Sequence, residues 1–257
     1  MTSPIEPRTA SLYHASHDPV VEPAIAAMIV LAAMATYLVV PLLVPRELAL
    51  VAAQAALAVV PIAAVIVAHP ARPLHALGLR GAQPRFFLAA AAIGATAWYV
   101  NTRLVALLPL PERATRTLEA LVQQPPFVGA LAMFALVPAM CEEILFRGVL
   151  ARALGRRLSI AAAATISSAV FSAYHLSPVQ ALPTLTLGFV LAVVAIRADS
   201  VVPTIVAHAI NNAIAIALSR DELPALASWF GHHPTLALAG CTTATAGGIA
   251  IAVRGPS

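Results

Sequence analysis

Two adjacent carboxylates, Glu142 and Glu143, lie in a run of residues otherwise apolar enough to cross a bilayer. On insertion scales a carboxylate at the centre of a membrane helix costs about 2.5–3.5 kcal/mol, so two in succession need a partner or a task. Arg147 follows Glu143 by four residues, which puts both on one helix face at pairing distance. Glu142 points about 100° away from that face. It is left without a helical partner and is the acid positioned to do chemistry.

Two further apolar stretches carry polar pairs. One ends in Phe171-Ser172-Ala173-Tyr174-His175, and the other contains His208 and, four residues on, Asn212. The remaining six histidines (His14, His17, His69, His75, His232 and His233) fall in the N-terminal tail or between apolar segments. Taken singly, each residue has a plain explanation. A buried histidine packs and hydrogen-bonds, an asparagine joins membrane helices at about 0.6–2 kcal/mol, and a Glu–Arg pair staples a helix. The conjunction says more: a carboxylate, two imidazoles and an amide from three helices can activate water and hold an oxyanion if they converge.

The same Glu142, His175 and His208 would also suffice as ligands for a catalytic zinc with an open water position, although the spacing is not His-Glu-x-x-His. Intramembrane Glu and His suit a proton-coupled carrier or channel as well, and a scaffold that binds a partner's membrane helix is the other non-enzymatic alternative. A relay has no use for Asn212 beside His208. Ser167, Ser168 and Ser172 lack any Gly-x-Ser-x-Gly or Ser–Lys context and read as packing residues. Pro138, four residues before Glu142, is expected to bend its helix and free a backbone carbonyl near the site.

Eight apolar segments must position these groups. They run Ala24–Val44, Leu48–Ala68, Phe86–Leu108, Phe127–Leu150, Leu158–Tyr174, Val179–Ile196, Val201–Leu218 and Thr235–Val253. Of the 257 residues 60% are hydrophobic and 10% charged, against about 25% charged in a soluble domain. Backbone groups in lipid must be satisfied within the segment, so every span is predicted helical. The expected class is an all-α polytopic membrane protein of about eight transmembrane helices with a four-helix catalytic core. We divide it into a disordered tail (1–22), N-terminal transmembrane helices (23–125), the core (126–219) and a loop with the last helix (220–257).

All 15 basic residues are arginine. They are scattered among short loops, which argues for membrane orientation and against nucleic acid. With the N-terminus inside, ten arginines fall on the inner side and five (Arg46, Arg103, Arg113, Arg116 and Arg220) on the outer. The bias predicts an inner (plasma) membrane protein with both termini in the cytoplasm. Cys141 and Cys241 both lie in apolar segments and do not suggest a disulfide scaffold.

In order, and each inside an expected span, Glu142-Glu143-x-x-x-Arg147, Phe171-x-x-x-His175 and His208-x-x-x-Asn212 resemble the three motifs of the CPBP intramembrane proteases. That family includes the CAAX prenyl endopeptidases of the Rce type and the bacterial Abi proteins. The resemblance covers about Phe127–Leu218. It implies hydrolysis of a peptide bond in a membrane-associated protein or peptide, within or at the edge of the bilayer. By the family pattern Glu142 and His175 activate water, His208 and Asn212 stabilise the oxyanion, and Arg147 holds Glu143. Family members are described as both glutamic proteases and metalloproteases; we favour no cofactor, with zinc as the alternative. The site is expected in a water-filled cavity between the fourth, fifth and seventh spans.

Overall fold

A computed structural model describes residues 20–45, 48–110 and 112–254. Nearly all of the expected N-terminal tail, with Arg8, and the outer-side Arg46 lie outside the described residues. Ten helices of more than one turn follow: α1 Pro23–Val39, α2 Ala49–Ala68, α3 Pro84–Val105, α4 Glu112–Gln123, α5 Phe127–Gly155, α6 Ile160–Tyr174, α7 Pro178–Ala198, α8 Val202–Ser219, α9 Pro224–His232 and α10 Pro234–Val253. There is no strand among the described residues.

The helix boundaries follow from local chemistry. Proline opens α1, α3, α7, α9 and α10, where its missing N–H is not needed and its fixed φ suits the first turn. Ser159 caps α6 by accepting a hydrogen bond from the Ala162 amide at 3.2 Å. Asp199 ends α7 in the left-handed region, with φ 47°, a conformation that short polar side chains tolerate.

All eight expected spans are present as helices, with ends shifted by a few residues. Six are long and apolar enough to cross a membrane: α1 with its continuation to Leu42, α2, α5, α7, α8 and α10. The other two differ for opposite reasons. Helix α3 has 22 residues but is diluted by Arg85, Asn101 and Arg103. Helix α6 is apolar but has only 15 residues, about 22 Å at 1.5 Å per residue. That is shorter than a hydrocarbon core of about 30 Å, so α6 ends inside the thickness its neighbours span. Two segments expected as connections also contain helix, the amphipathic α4 and the aromatic α9.

Hydrogen bonds sort the helix ends onto two faces. On one, Arg157 beside the α5–α6 link pairs with Glu22 before α1. The Arg85 side chain at the start of α3 donates to the Arg254 carbonyl after α10. Arg80, Arg152 and Asp199 meet from before α3, from α5 and from the α7–α8 link. On the other face, Gln123 at the end of α4 donates to the Ser219 carbonyl, and Arg220 donates to the Val122 carbonyl. There Tyr99 near the end of α3 also donates to the Pro234 carbonyl at the start of α10. Both ends of the described chain therefore lie on the face that carries Arg157 and Arg152.

Inside, small residues let the helices approach closely, as membrane packing requires. Helix α3 packs on both α8 and α10, and a Cβ added to Gly94 would stand 2.5 Å from the Ala207 carbonyl oxygen of α8. The outside is studded with exposed Leu31, Val59, Val67, Leu88 and Val128, the surface expected against lipid.

Candidate active site

The central helix α5 is not regular. Ala132–Leu136 and Glu143–Ala151 are wide π-helical stretches, a feature often found at functional sites. Between them sits Pro138, which has no N–H to offer the carbonyl of Phe134, four residues back. Asn212 Nδ2 from α8 donates to that carbonyl at 3.1 Å. The carbonyl expected near Pro138 is thus found, and it holds one of the predicted site residues.

Glu142, Glu143 and Arg147 are all buried, the last two completely at 0% exposure. Glu143 Oε1 contacts Arg147 Nη1 at 2.9 Å, the i,i+4 ion pair expected from the sequence. None of the three Arg147 nitrogens makes a hydrogen bond in proper geometry, and neither does Glu143 Oε2. The guanidinium is supported instead by the Phe171 ring, with Cζ 4.2 Å from its centroid. Gly188 of α7 gives it room: a Cβ there would lie 3.1 Å from both Arg147 Nη2 and the Phe171 ring.

His208 is set between the two glutamates. Its Nδ1 lies 2.9 Å from Glu143 Oε1, and its Nε2 lies 3.9 Å from Glu142 Oε2. His175, directly after the last residue of α6, donates from Nδ1 to the Phe171 carbonyl at 2.9 Å. That leaves Nε2 as the open ring nitrogen. The Phe171 ring touches both imidazoles edge-on, with centroids 4.8 Å from His175 and 6.2 Å from His208.

One feature of Glu142 differs from the sequence expectation: it has partners. Gln54 Nε2 from α2 and the Tyr174 hydroxyl from α6 reach Glu142 Oε1 at 3.3 and 3.4 Å. Both distances are long, and Oε2 remains the oxygen turned to His208. The helical argument considered only neighbours along one helix, whereas these partners arrive from 88 and 32 positions away. Gln54 could have been found, because it is the sole polar residue in the second span. Tyr174 sits inside the motif-bearing stretch and offers no further signal.

The serines expected to pack spend their hydroxyls on carbonyls: Ser167 on Phe146, Ser168 on Thr165 and Ser172 on Ala181. Glu142, His175, His208 and Asn212 line one cavity of about 550 Å³. The cavity thus gathers these residues from α5, α6 and α8, with Gln54 of α2 in its lining and Gly188 of α7 behind Arg147.

Fold and site together define a polytopic all-α membrane protein with an acid–imidazole cluster inside the bundle. Residues 124–214 match the family described as type II CAAX prenyl endopeptidase, Rce1-like. This segment, from α5 to most of α8, is similar to that CAAX protease family and carries all three motifs. No curated protein and no solved structure matches the chain.

Proposed function

We propose that the protein is an intramembrane endopeptidase in which Glu142 and His175 activate a water molecule. The water oxygen adds to a peptide carbonyl while its proton passes to the Glu142–His175 pair. His208 and Asn212 stabilise the oxyanion of the tetrahedral adduct. The C–N bond then breaks and the proton leaves with the amine. For His208 to donate from Nε2 it must carry both ring protons, with Nδ1–H directed at Glu143. Glu143 and Arg147 orient His208 and keep the helix in register. The substrate class is a membrane-associated protein or peptide. We place the enzyme in the plasma membrane with both termini cytoplasmic, from the arginine distribution.

The observation that carries this reading is that four separately encoded polar side chains, Glu142, His175, His208 and Asn212, line one cavity inside an otherwise apolar bundle. A zinc-dependent version of the same hydrolysis has one observation in its favour. Each histidine presents Nδ1 to a backbone carbonyl or a carboxylate, the way metal-bound histidines are oriented. Against it, no three His, Cys, Asp or Glu side chains among the described residues are grouped to hold a metal ion. We therefore keep the metal-free mechanism, with zinc as the alternative. The test is Glu142→Gln in purified, reconstituted protein incubated with a peptide mixture and read by mass spectrometry. New termini with the wild type and none with the variant support the reading; equal cleavage by both overturns it.

A further inference from the structure

The cavity does not pass through the bundle. Its lining residues come from one end of every helix that contributes: Gln54 of α2, Trp98 to Val105 of α3, Phe134 to Glu142 of α5, Phe171 to His175 around the end of α6, Val179 to Leu187 of α7 and His208 to Ser219 of α8. Helix α4 adds Glu119 at the same end. These are the ends that meet on the face of the Gln123–Ser219 and Arg220–Val122 bonds. The short helix α6 ends at the cavity, with Tyr174 and His175 in its lining. The opposite face is shut. There Asp199 bridges Arg80 and Arg152, Arg152 donates to the Ala76 and His75 carbonyls, and the Val201 amide donates to the Gly78 carbonyl.

The shut face is the arginine-rich one. Arg147 is buried at the site and drops out of the count of loop charges. Among the described residues eight arginines then remain on the shut side (Arg72, Arg80, Arg85, Arg152, Arg156, Arg157, Arg197 and Arg254) against four on the open side (Arg103, Arg113, Arg116 and Arg220). Arginine-rich loops stay in the cytoplasm. The lining chemistry is also selective. Gln54, Asn101, Gln180, Asn211 and Asn212 contribute carboxamides, and Gln54 Oε1 and Asn211 Oδ1 have no hydrogen-bond partner. Among the described residues Glu119 and Glu142 line the cavity, and no arginine does.

We infer that the cavity opens on the non-cytoplasmic face and takes an extended, non-anionic polypeptide segment presented from that side. Carboxamides both donate and accept, so they can pair with the N–H and C=O groups of an unwound backbone. Among the described residues that line the cavity, a free C-terminal carboxylate would find no arginine to meet it. The segment is thus an internal stretch of an exported or membrane-spanning chain. This substrate class rests on the endopeptidase reading above; the direction of opening does not.

The experiment places single cysteines in a Cys141→Ala, Cys241→Ala background. Thr102→Cys and Glu119→Cys sit at the mouth, and Ala71→Cys sits on the shut face. A membrane-impermeant maleimide added to intact spheroplasts should label the two mouth positions, and Ala71→Cys only after permeabilisation. Labelling of Ala71→Cys in intact spheroplasts, or mouth positions that stay unlabelled there, overturns the inference. With the wild type, a peptide mixture added outside should be cut without permeabilisation, and C-terminally amidated and free-acid peptides equally. Cleavage confined to permeabilised spheroplasts or to free acids overturns the inference. Expected labelling with no cleavage anywhere would remove the protease reading while keeping the direction of opening.

Discussion

Two buried arginines five residues apart on α5 sit in opposite circumstances. Arg152, near the shut face, donates from Nε to Asp199 at 2.8 Å, from Nη1 to the Ala76 carbonyl at 2.9 Å and from Nη2 to the His75 carbonyl at 3.2 Å. Arg147, at the site, has one ionic contact and an aromatic ring, and no hydrogen bond in proper geometry. Gly78 shows how tightly the first region is built. It adopts φ +73°, and a Cβ there would come within 2.8 Å of Arg152 Nη1. A polar network with every group satisfied rigidifies a fold. A buried group left unsatisfied costs about 1–3 kcal/mol, and such costs persist where a site needs them. The saturated network is architecture, and the unsaturated one, with Glu143 Oε2, Gln54 Oε1 and Asn211 Oδ1 also unpaired, is where we place the chemistry.

The heaviest blows to this contrast remove an arginine altogether. Arg147→Ala strands Glu143, and Arg152→Ala removes the buried half of the Asp199 clasp and leaves the Ala76 and His75 carbonyls without their donor, with Arg80 alone remaining on Asp199. Breaking a buried pair costs about 3–5 kcal/mol, so both should express poorly or melt far below the wild type in detergent. Lysine separates the two. It can keep a single ionic contact but cannot reproduce a fork that serves several acceptors. Arg147→Lys should therefore melt closer to the wild type than Arg152→Lys. The reverse order in thermal unfolding would mean that Arg147, not Arg152, is the structural staple.

Next in size is a change in rate without a change in fold. General acid–base catalysis is worth about 10²–10⁴-fold, and Glu142→Gln should lose that much turnover at an unchanged melting temperature. His175→Ala and His208→Ala should follow it. Asp199→Asn should do the opposite, lowering the melting temperature while the folded fraction turns over normally. If Glu142→Gln unfolds and Asp199→Asn stays stable but inactive, the two regions have been assigned the wrong way round.

Asn212 belongs to both categories. Its loss as an oxyanion donor should cost about 10²–10³-fold in rate. It also holds the Phe134 carbonyl beside Pro138, worth about 1 kcal/mol. Asn212→Ala should thus leave weak residual activity and a slightly lowered melting temperature. A fall in melting temperature with full activity would confine Asn212 to the second task.

What the sequence made legible divides along the same line. The eight spans could be read because lipid enforces helix on any apolar run, and the Glu143–Arg147 pair because helical spacing fixes it. Around α4, proline and charge argue for a connection. Yet Glu112, Arg116 and Glu119 recur at helical spacing, and the segment is a helix. Glu142, His175, His208 and Asn212 stood out as polar residues in apolar runs, and the structure lines one cavity with them. The Arg152–Asp199 clasp was not legible: both look like loop charges until α5 and the α7–α8 link meet. Nor were the contacts of Gln54 and Tyr174 with Glu142, which exist only once α2 and α6 pack on α5.

Those two contacts predict a smaller effect. At 3.3–3.4 Å they are near the limit of hydrogen bonding, where strength falls away. They orient Glu142 Oε1 and leave Oε2 toward His208. Tyr174→Phe and Gln54→Leu should therefore lower kcat by roughly tenfold or less, corresponding to about 1.4 kcal/mol, with little change in KM. A purely structural role would move the melting temperature and spare kcat in the folded fraction.

The smallest expected effect is none. Both imidazoles have Nδ1 engaged and Nε2 open, which suits a zinc ligand and a proton-transfer group equally well. The two cases differ in what the open nitrogens face. A zinc site needs Glu142, His175 and His208 gathered on one point at about 2.0–2.2 Å. Two donors on one such ion lie roughly 3.4 Å apart; here His208 Nε2 stands 3.9 Å from the nearest Glu142 oxygen, a little wider than that, while its Nδ1 is drawn to Glu143. That is the arrangement of an imidazole shared between two carboxylates. Protein purified with a chelator should keep its activity and hold well under one metal per chain by elemental analysis. Stoichiometric zinc, with activity lost on chelation and restored by zinc, would recast Glu142, His175 and His208 as ligands. Glu143 would then be the carboxylate that orients His208 from behind, and the unsaturated region would owe its open valences to an ion rather than to water.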